Sequence, residues 1–242
     1  MTQPLYAVGD VHGQKSEFDK VLDWIAADGG PEAEIVFLGD YVDRGPDSRG
    51  VIQALIDGVA EGRPWHVLRG NHDRMFCRFL QGGILHDERI LSGKGWLHPA
   101  LGGVATLASY GVAASEDGDI AAILADAQAK VPAAHVNFLA GRDLTLERDG
   151  KLFVHAGIRP GVAMAEQDED DLVWIREGFL DHEDPHPWLV IHGHTALEQP
   201  THFGNRVDLD GGAGYGRALQ PAVFEGTQAW VLTAEGRQRL AP

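Results

Sequence analysis

One cysteine, Cys77, is all that the 242-residue chain contains, so no internal disulfide can form and a reducing compartment is expected. Positive charge is also scarce: 20 Lys+Arg stand against 36 Asp+Glu, for a formal net charge of −16. A surface of that sign repels phosphate backbones, and no Lys/Arg cluster offsets it, which argues against a nucleic-acid groove. The opening MTQPLYAVGDVHG lacks the basic and apolar regions of a signal peptide. The uncharged stretch 95–115 carries four Gly, Pro99 and His98, too polar and broken for a membrane span. The expectation is a cytoplasmic protein of one domain over 1–242, with partners other than membranes and nucleic acids.

What is abundant is glycine, 31 residues, much of it in short polar clusters that follow apolar runs. Leu5-Tyr6-Ala7-Val8 runs into GDVHG, Ile35 to Leu38 into GDYVDRG, and Trp65 to Leu68 into RGNHD. Leu152-Phe153-Val154 runs into HAG, and Trp188 to Ile191 into HGHT. Continuous apolar runs bounded by glycine read as strands buried on both faces. Phe18, Val21, Leu22 and Ile25 fall at helical spacing before Gly29-Gly30, and Val51-Ile52, Leu55-Ile56 and Val59 repeat it. Alternating strands and helices predict an α/β architecture, whose sites gather at the carboxyl ends of strands. Between the third and fourth site strands, residues 76–150 read as a mainly helical cap insertion, with helix over Arg78 to Gly95 and Asp119 to Leu139. Short strands suited to an antiparallel sheet are expected at Asn205 to Asp210, Ala222 to Glu225 and Ala229 to Thr233.

The strand ends collect Asp10, His12, Asp40, Asn71, His72, His155, His192 and His194. Carboxylate, amide and imidazole donors together suit Mn, Fe or Zn better than Ca²⁺ or a thiolate site. They suffice for two divalent ions if one carboxylate bridges, the device used for in-line displacement at phosphorus. Each of Asp10, Asp40 and Asn71 follows a glycine, and singly each reads equally well as a turn or cap residue.

GDVHG (9–13), GDYVDRG (39–45), GNHD (70–73), HAG (155–157) and GHT (193–195), in that order, resemble the calcineurin-like metallophosphoesterases. GDYVDRG is similar to the PPP-type serine/threonine phosphatases, the bacterial and phage members above all. The resemblance implies a β-sandwich flanked by helices and two divalent ions, most simply Mn. It places Asp10, His12 and Asp40 on one ion, with Asp40 bridging to a second held by Asn71, His155 and His194. A metal-activated hydroxide would attack phosphorus, His72 would protonate the leaving oxygen, and Asp43 would orient its ring and raise its pKa. Arg44 and, from the Trp174-Ile175-Arg176 segment, Arg176 would bind the phosphate alongside Asn71. Three departures stand out: Ala196 replaces a final His of the wider superfamily, GNHD replaces GNHE, and His192 shares the i, i+2 face of His194 as a supporting or substrate-contacting group.

The implied activity is metal-dependent hydrolysis of phosphomonoesters, most simply on phosphoserine and phosphothreonine of proteins. The alternatives are a hydrolase of dinucleoside polyphosphates such as diadenosine tetraphosphate, and a metal-bound binding protein without catalysis. The set His72, Asp43 and Arg44 argues against the last. His66, His86, His98, His135, His182, His186 and His202 read as surface or core residues, and Cys77 as a packed side chain. The glycines of GGAGYG (211–216) do not fit a nucleotide cradle, while Asp210 and Tyr215 could edge the pocket.

Overall fold

A strand that is apolar at every position needs cover on both faces, and the protein supplies it with two stacked sheets and two outer layers. The computed structural model describes residues 3–242. β1 (Leu5–Val8), β2 (Glu34–Phe37) and β3 (Trp65–Val67) run parallel, with Leu5 opposite Glu34 and Ile35 opposite Trp65. The second sheet is built on β4 (Thr145–Arg148), β5 (Lys151–Val154), β6 (Leu189–His192), β7 (Thr201–His202) and β8 (Arg206–Asp208), in the order β4-β5-β6-β8-β7. The chain then returns to the first sheet as β9 (Ala222–Glu225), β10 (Gln228–Thr233) and β11 (Gly236–Leu240), completing the order β11-β10-β9-β1-β2-β3.

The period of two along each strand divides the core. Leu5, Ala7, Val36 and Leu38 meet Phe153, Ile191, Val207 and Phe224 between the sheets. Tyr6, Val8, Ile35 and Phe37 face outward onto helices. The helix α1 (Lys15–Gly29) buries Phe18, Val21 and Ile25 there, and α2 (Ser48–Ala60) buries Val51, Ile52 and Leu55. Each such side chain contributes roughly 1.5–3 kcal/mol of transfer free energy. On the far side, Leu152, Val154 and Val190 pack with Ile158, Leu172 and Phe179. The mixed α/β sandwich expected above is therefore present, with the parallel strands β1, β2, β3, β5 and β6 all carrying polar clusters at their carboxyl ends.

Several of the expected elements need correction. The helix expected over Arg78 to Gly95 stops early: α3 spans Asn71–Gly82 and ends at Gly83, whose φ of 70° forms a left-handed cap. Residues 83–102 are instead turns and loop, folded back by Arg74 and Arg78, which both bind Asp87. The glycine-rich stretch in turn contains the short helix α4 (Gly103–Ser109). The expected helix over Asp119 to Leu139 is two, α5 (Ile120–Lys130) and α6 (Ala133–Ala140), because Pro132 cannot continue the backbone ladder. The insertion is also not a free-standing layer: Trp96, Leu107, Ile123 and Leu139 belong to the same buried cluster as α1 and α2. Finally, β8 lies parallel to β6 and antiparallel to β7; β9 and β10 pair antiparallel as expected, and the unanticipated β11 adds to β10, also antiparallel. Among the described residues, no helix is long and apolar enough to cross a membrane.

Candidate metal centre and phosphoryl site

The loops leaving β1, β2, β5 and β6 are tied to one another before any side chain is considered. Asp40 carbonyl oxygen accepts from the amides of Val11 and His12, at 3.1 and 2.8 Å, and His155 carbonyl oxygen accepts from Gly193 at 2.8 Å. Asp73, in the first turn of α3, accepts from the amides of Asp40 (2.8 Å), Tyr41 (2.9 Å) and Gly70 (2.9 Å). The loop conformations are unusual: His12, Asp40, Asp43, Arg44 and His194 all have positive φ, between 46° and 74°. Two glycines permit close approach. A Cβ on Gly70 would collide with Asp40, and one on Gly193 with Asp10.

These loops bring the expected ligands together. His12 Nδ1 donates to Val42 carbonyl oxygen at 2.8 Å, and His155 Nδ1 to Leu38 carbonyl oxygen at 3.0 Å. Each bond fixes a tautomer and turns the Nε2 lone pair inward, the arrangement of metal-binding imidazoles. His155 Nε2 and His194 Nδ1 approach Asn71 Oδ1 at 2.8 and 2.9 Å, and Asp40 Oδ2 lies 3.5 Å from His155 Nε2. On the other side of Asp40, His12 Nε2 lies 3.7 Å from its Oδ2 and 3.9 Å from Asp10 Oδ2. Asp40 is thus common to both groups of potential ligands.

The residues fit divalent ions on two grounds. Donor atoms of Asp40, His155 and His194 all lie within 4.8 Å of one another. Asp10, Asp40, Asp43, Asp73, Asp208 and Asp210 are all buried, with few cations among them. Burial pushes Asp10 and Asp40 well above the usual carboxylate range, and neighbouring carboxylates push further: Asp210 and Asp40 on the former, Asp73 on the latter. Burial depresses His12 and His194 well below their ordinary values, keeping them neutral and able to coordinate.

His72 sits at the base of the cavity beside this cluster. Its Nδ1 is 2.6 Å from Asp43 Oδ2, and its Nε2 is 3.2 Å from Arg44 Nη2. Asp43 is fully buried and also accepts from Trp96 Nε1 at 2.9 Å and Thr106 Oγ1 at 2.7 Å. Burial pushes its carboxyl up to about 7, against the hydrogen bonds of Thr106 and Trp96 and the charge of Arg44. His72 is instead held well below the ordinary histidine value, by burial first and then by Arg44 and Arg176. The expectation that Asp43 raises the His72 pKa is therefore not met here: desolvation and the two guanidinium charges win.

Arg44 Nη1 donates to His12 Nε2 at 2.6 Å, and its guanidinium lies 4.8 Å over the Tyr215 ring. Arg176 follows α7 (Glu169–Trp174) and donates to His194 carbonyl oxygen at 3.1 Å. Both arginines, Asp210, Tyr215 and Trp174 line a cavity of about 470 Å³ above Asp10, His12, Asp40, Asn71, His72 and His194. His155 lies beneath, wholly buried.

One candidate lies elsewhere. His192 points away, its ring edge-on to Phe179 with centroids 5.1 Å apart and Nε2 3.4 Å from Arg206, so it contacts neither cavity nor ligands. Burial pushes it down to about 3. Cys77 is buried in α3, and burial pushes its thiol up to about 12, an inert side chain. Sequence reasoning did not find Trp96, Thr106 or Asp73. Only Asp73 had a sequence signal, as the last residue of GNHD, next to His72 and two positions after Asn71.

The calcineurin-like phosphoesterase family profile matches residues 3–218. A Caenorhabditis elegans protein, C06A1.3, named provisionally as a serine/threonine-protein phosphatase, is 38% identical over 71 residues. That match covers 29% of this chain and only 19% of the relative's own length. A solved structure described provisionally as a diadenosine tetraphosphatase has a TM-score of 0.66 at 19% identity, covering 96% of this chain and 93% of that one. The cold-active protein-tyrosine phosphatase of a psychrophile, Shewanella sp., has the same TM-score at 18% identity, covering 100% and 81%. Likeness at such identities establishes the common fold, while the profile spans nearly the whole chain together with all five strand-end motifs. This chain belongs to the calcineurin-like phosphoesterases.

Proposed function

We propose that the chain hydrolyses phosphate monoesters carried on protein side chains, with Asp10, His12 and Asp40 holding one divalent ion and Asp40, Asn71, His155 and His194 a second. Mn²⁺ fits the mixed oxygen and nitrogen donors, as do Fe and Zn²⁺. When bound, such ions polarise phosphoryl oxygens and acidify water at neutral pH. The remaining chemistry belongs to the side chains. Arg44 and Arg176, both on the cavity wall, grip phosphate oxygens through planar forks. His72 faces the same space with Nε2 and gives its proton to the leaving oxygen. Asp43 holds the opposite ring nitrogen and so fixes the ring's direction. A phosphate dianion between the two guanidiniums offsets the charges that depress His72, and so favours the acid form when substrate is present.

The observation that carries this reading is the adjacency of His72 and Arg44, joined at 3.2 Å, to the buried Asp40 cluster. A site serving only to hold metal has no need of a proton donor and a phosphate clamp. Arg44 and Arg176 match a single phosphoryl group. Arg89, at the cavity rim, is paired with Asp171, so exposed Lys94 is the further cation on that wall for a longer phosphate chain. A chelator should abolish hydrolysis of para-nitrophenyl phosphate and added Mn²⁺ should restore it; full activity in chelator would sink the reading.

A further inference from the structure

A second depression opens from the phosphoryl cavity at Arg44, Ala100 and Tyr215, residues that line both. Its volume is about 630 Å³, and its walls include Pro99, Val104, Ala105, Ala108 and Ala114. Three of these come from α4, which exposes only short side chains here and leaves a wide, shallow slot. Tyr215 is 62% exposed, and the Arg44 guanidinium covers its ring at 4.8 Å. The only charged residues on the lining are Arg44 at the inner end and Glu116.

Charge decides what this slot can receive. A polyphosphate chain extending past Arg44 would meet no further cation and then a carboxylate, so it is repelled. The one- or two-carbon leaving group of phosphoserine or phosphothreonine ends before the alanines. A flat ring on the leaving oxygen passes Ala100 and lies between α4 and Tyr215, where it loses apolar surface to water and meets an aromatic partner. We propose that the slot between α4 and Tyr215 is the leaving-group subsite for the ring of a phosphotyrosyl side chain, so that phosphotyrosine is the preferred substrate. This rests on the phosphomonoesterase reading above. In the step, water oxygen bonds to phosphorus and the bond from phosphorus to the aryl oxygen breaks. The aryl oxygen keeps the electron pair and takes the His72 proton, releasing tyrosine and inorganic phosphate.

The test uses metal-loaded full-length enzyme and two peptides that differ only in carrying phosphotyrosine or phosphoserine, with diadenosine tetraphosphate as a third substrate. The wild type should favour phosphotyrosine by roughly tenfold or more in kcat/KM. Ala108→Glu puts a carboxylate on the slot wall and should collapse that preference, acting through KM. Binding of a peptide with non-hydrolysable phosphonomethylphenylalanine, measured by calorimetry, should weaken by a similar factor. Ala114→Glu, also on the slot's lining, repeats the measurement should the first variant unfold. Equal turnover of the two peptides, an unchanged ratio in both variants, or preference for diadenosine tetraphosphate overturns the slot's role. Failure to hydrolyse any phosphoester overturns the phosphoesterase reading itself.

Discussion

Replacing Thr106 by Val removes one hydroxyl from the centre of the network that holds the candidate acid. Thr106 Oγ1 donates to Asp43 Oδ1 at 2.7 Å, lies 2.7 Å from the Asp43 amide and 3.1 Å from Ser48 Oγ. Thr106 is fully buried, so no water replaces the lost partner. A hydrogen bond to a buried charged group contributes ~1.5–3 kcal/mol. For a chain of this length each kcal/mol moves Tm by ~2–4 °C, so Thr106→Val should lower Tm by roughly 3–12 °C. The effect on rate has a separate origin. The Thr106 hydrogen bond holds the Asp43 carboxyl down against burial, which has pushed it to about 7. Without that donor the pKa rises further, and Asp43 is protonated over more of the neutral range. If anionic Asp43 is needed beside His72, activity is lost as pH falls through the Asp43 pKa, so the acid limb of the kcat profile moves to higher pH. Weakening the acid by ~1.4 kcal/mol lowers activity about tenfold at a fixed pH on that limb. The assay is kcat against pH on metal-loaded enzyme with phenyl phosphate, whose leaving oxygen needs a proton. Thr106→Ser, which keeps the hydroxyl, should restore the wild-type profile. In an Asp43→Asn background the substitution should cost no further rate. A lowered Tm with an unshifted profile would refute the argument that the insertion governs Asp43.

His72→Asn should retain metal content while losing ~10²–10⁴ in kcat on phenyl phosphate. The loss should be smaller on para-nitrophenyl phosphate, whose anion leaves without help; equal losses on both would remove His72 from the acid role. Arg176→Ala should raise KM for phosphomonoesters and the inhibition constant of inorganic phosphate together, and an unaltered phosphate inhibition constant would contradict the clamp. Asp171 is buried, which pushes its carboxyl up, but hydrogen bonds from Arg159 and Arg89 more than offset this and hold it below the usual value. A depressed carboxylate stabilises above its unfolded pKa of ~3.9 and loses that contribution as pH falls through its folded value. The Tm gap between wild type and Asp171→Asn should therefore be full at pH 6 and shrink towards pH 3; a gap independent of pH would show the pair to be unimportant.

The parts of the site that could be read from the sequence are those that local rules specify. A buried strand that ends in a polar cluster delivers its donors at a known place: Gly-Asp after β1 and β2, Gly-Asn after β3, and His155 and His194 after β5 and β6. Helices α1 and α2 were equally plain, because their apolar spacing lies within one segment; in the structure Asp47 caps the second, accepting from Gly50 at 2.7 Å. What escaped depends on long-range contact. Trp96 and Thr106 reach Asp43 across 53 and 63 positions of sequence, through a segment whose glycines suggest only loop. The strands β4 and β11 were missed because TLER and GRQRL carry too many charges for a buried run; both are sheet edges with one neighbour each. His192 was misplaced because i, i+2 spacing implies one face only while the chain stays extended. His194, at φ 67°, turns out of the strand and breaks the alternation.

That turn is one of five at the site. Non-glycine residues in the left-handed region cost of order 1–3 kcal/mol each, and here the burden falls on four residues proposed to bind metal or phosphate and on the orienter Asp43. Glycine at any of those positions would relax the backbone and take away the working side chain. A library of variants sorted by heat resistance alone should therefore drift towards glycine at 12, 40, 43, 44 and 194. Its most robust survivors would be the least active, so selection for durability in this fold has to be coupled to turnover at every round.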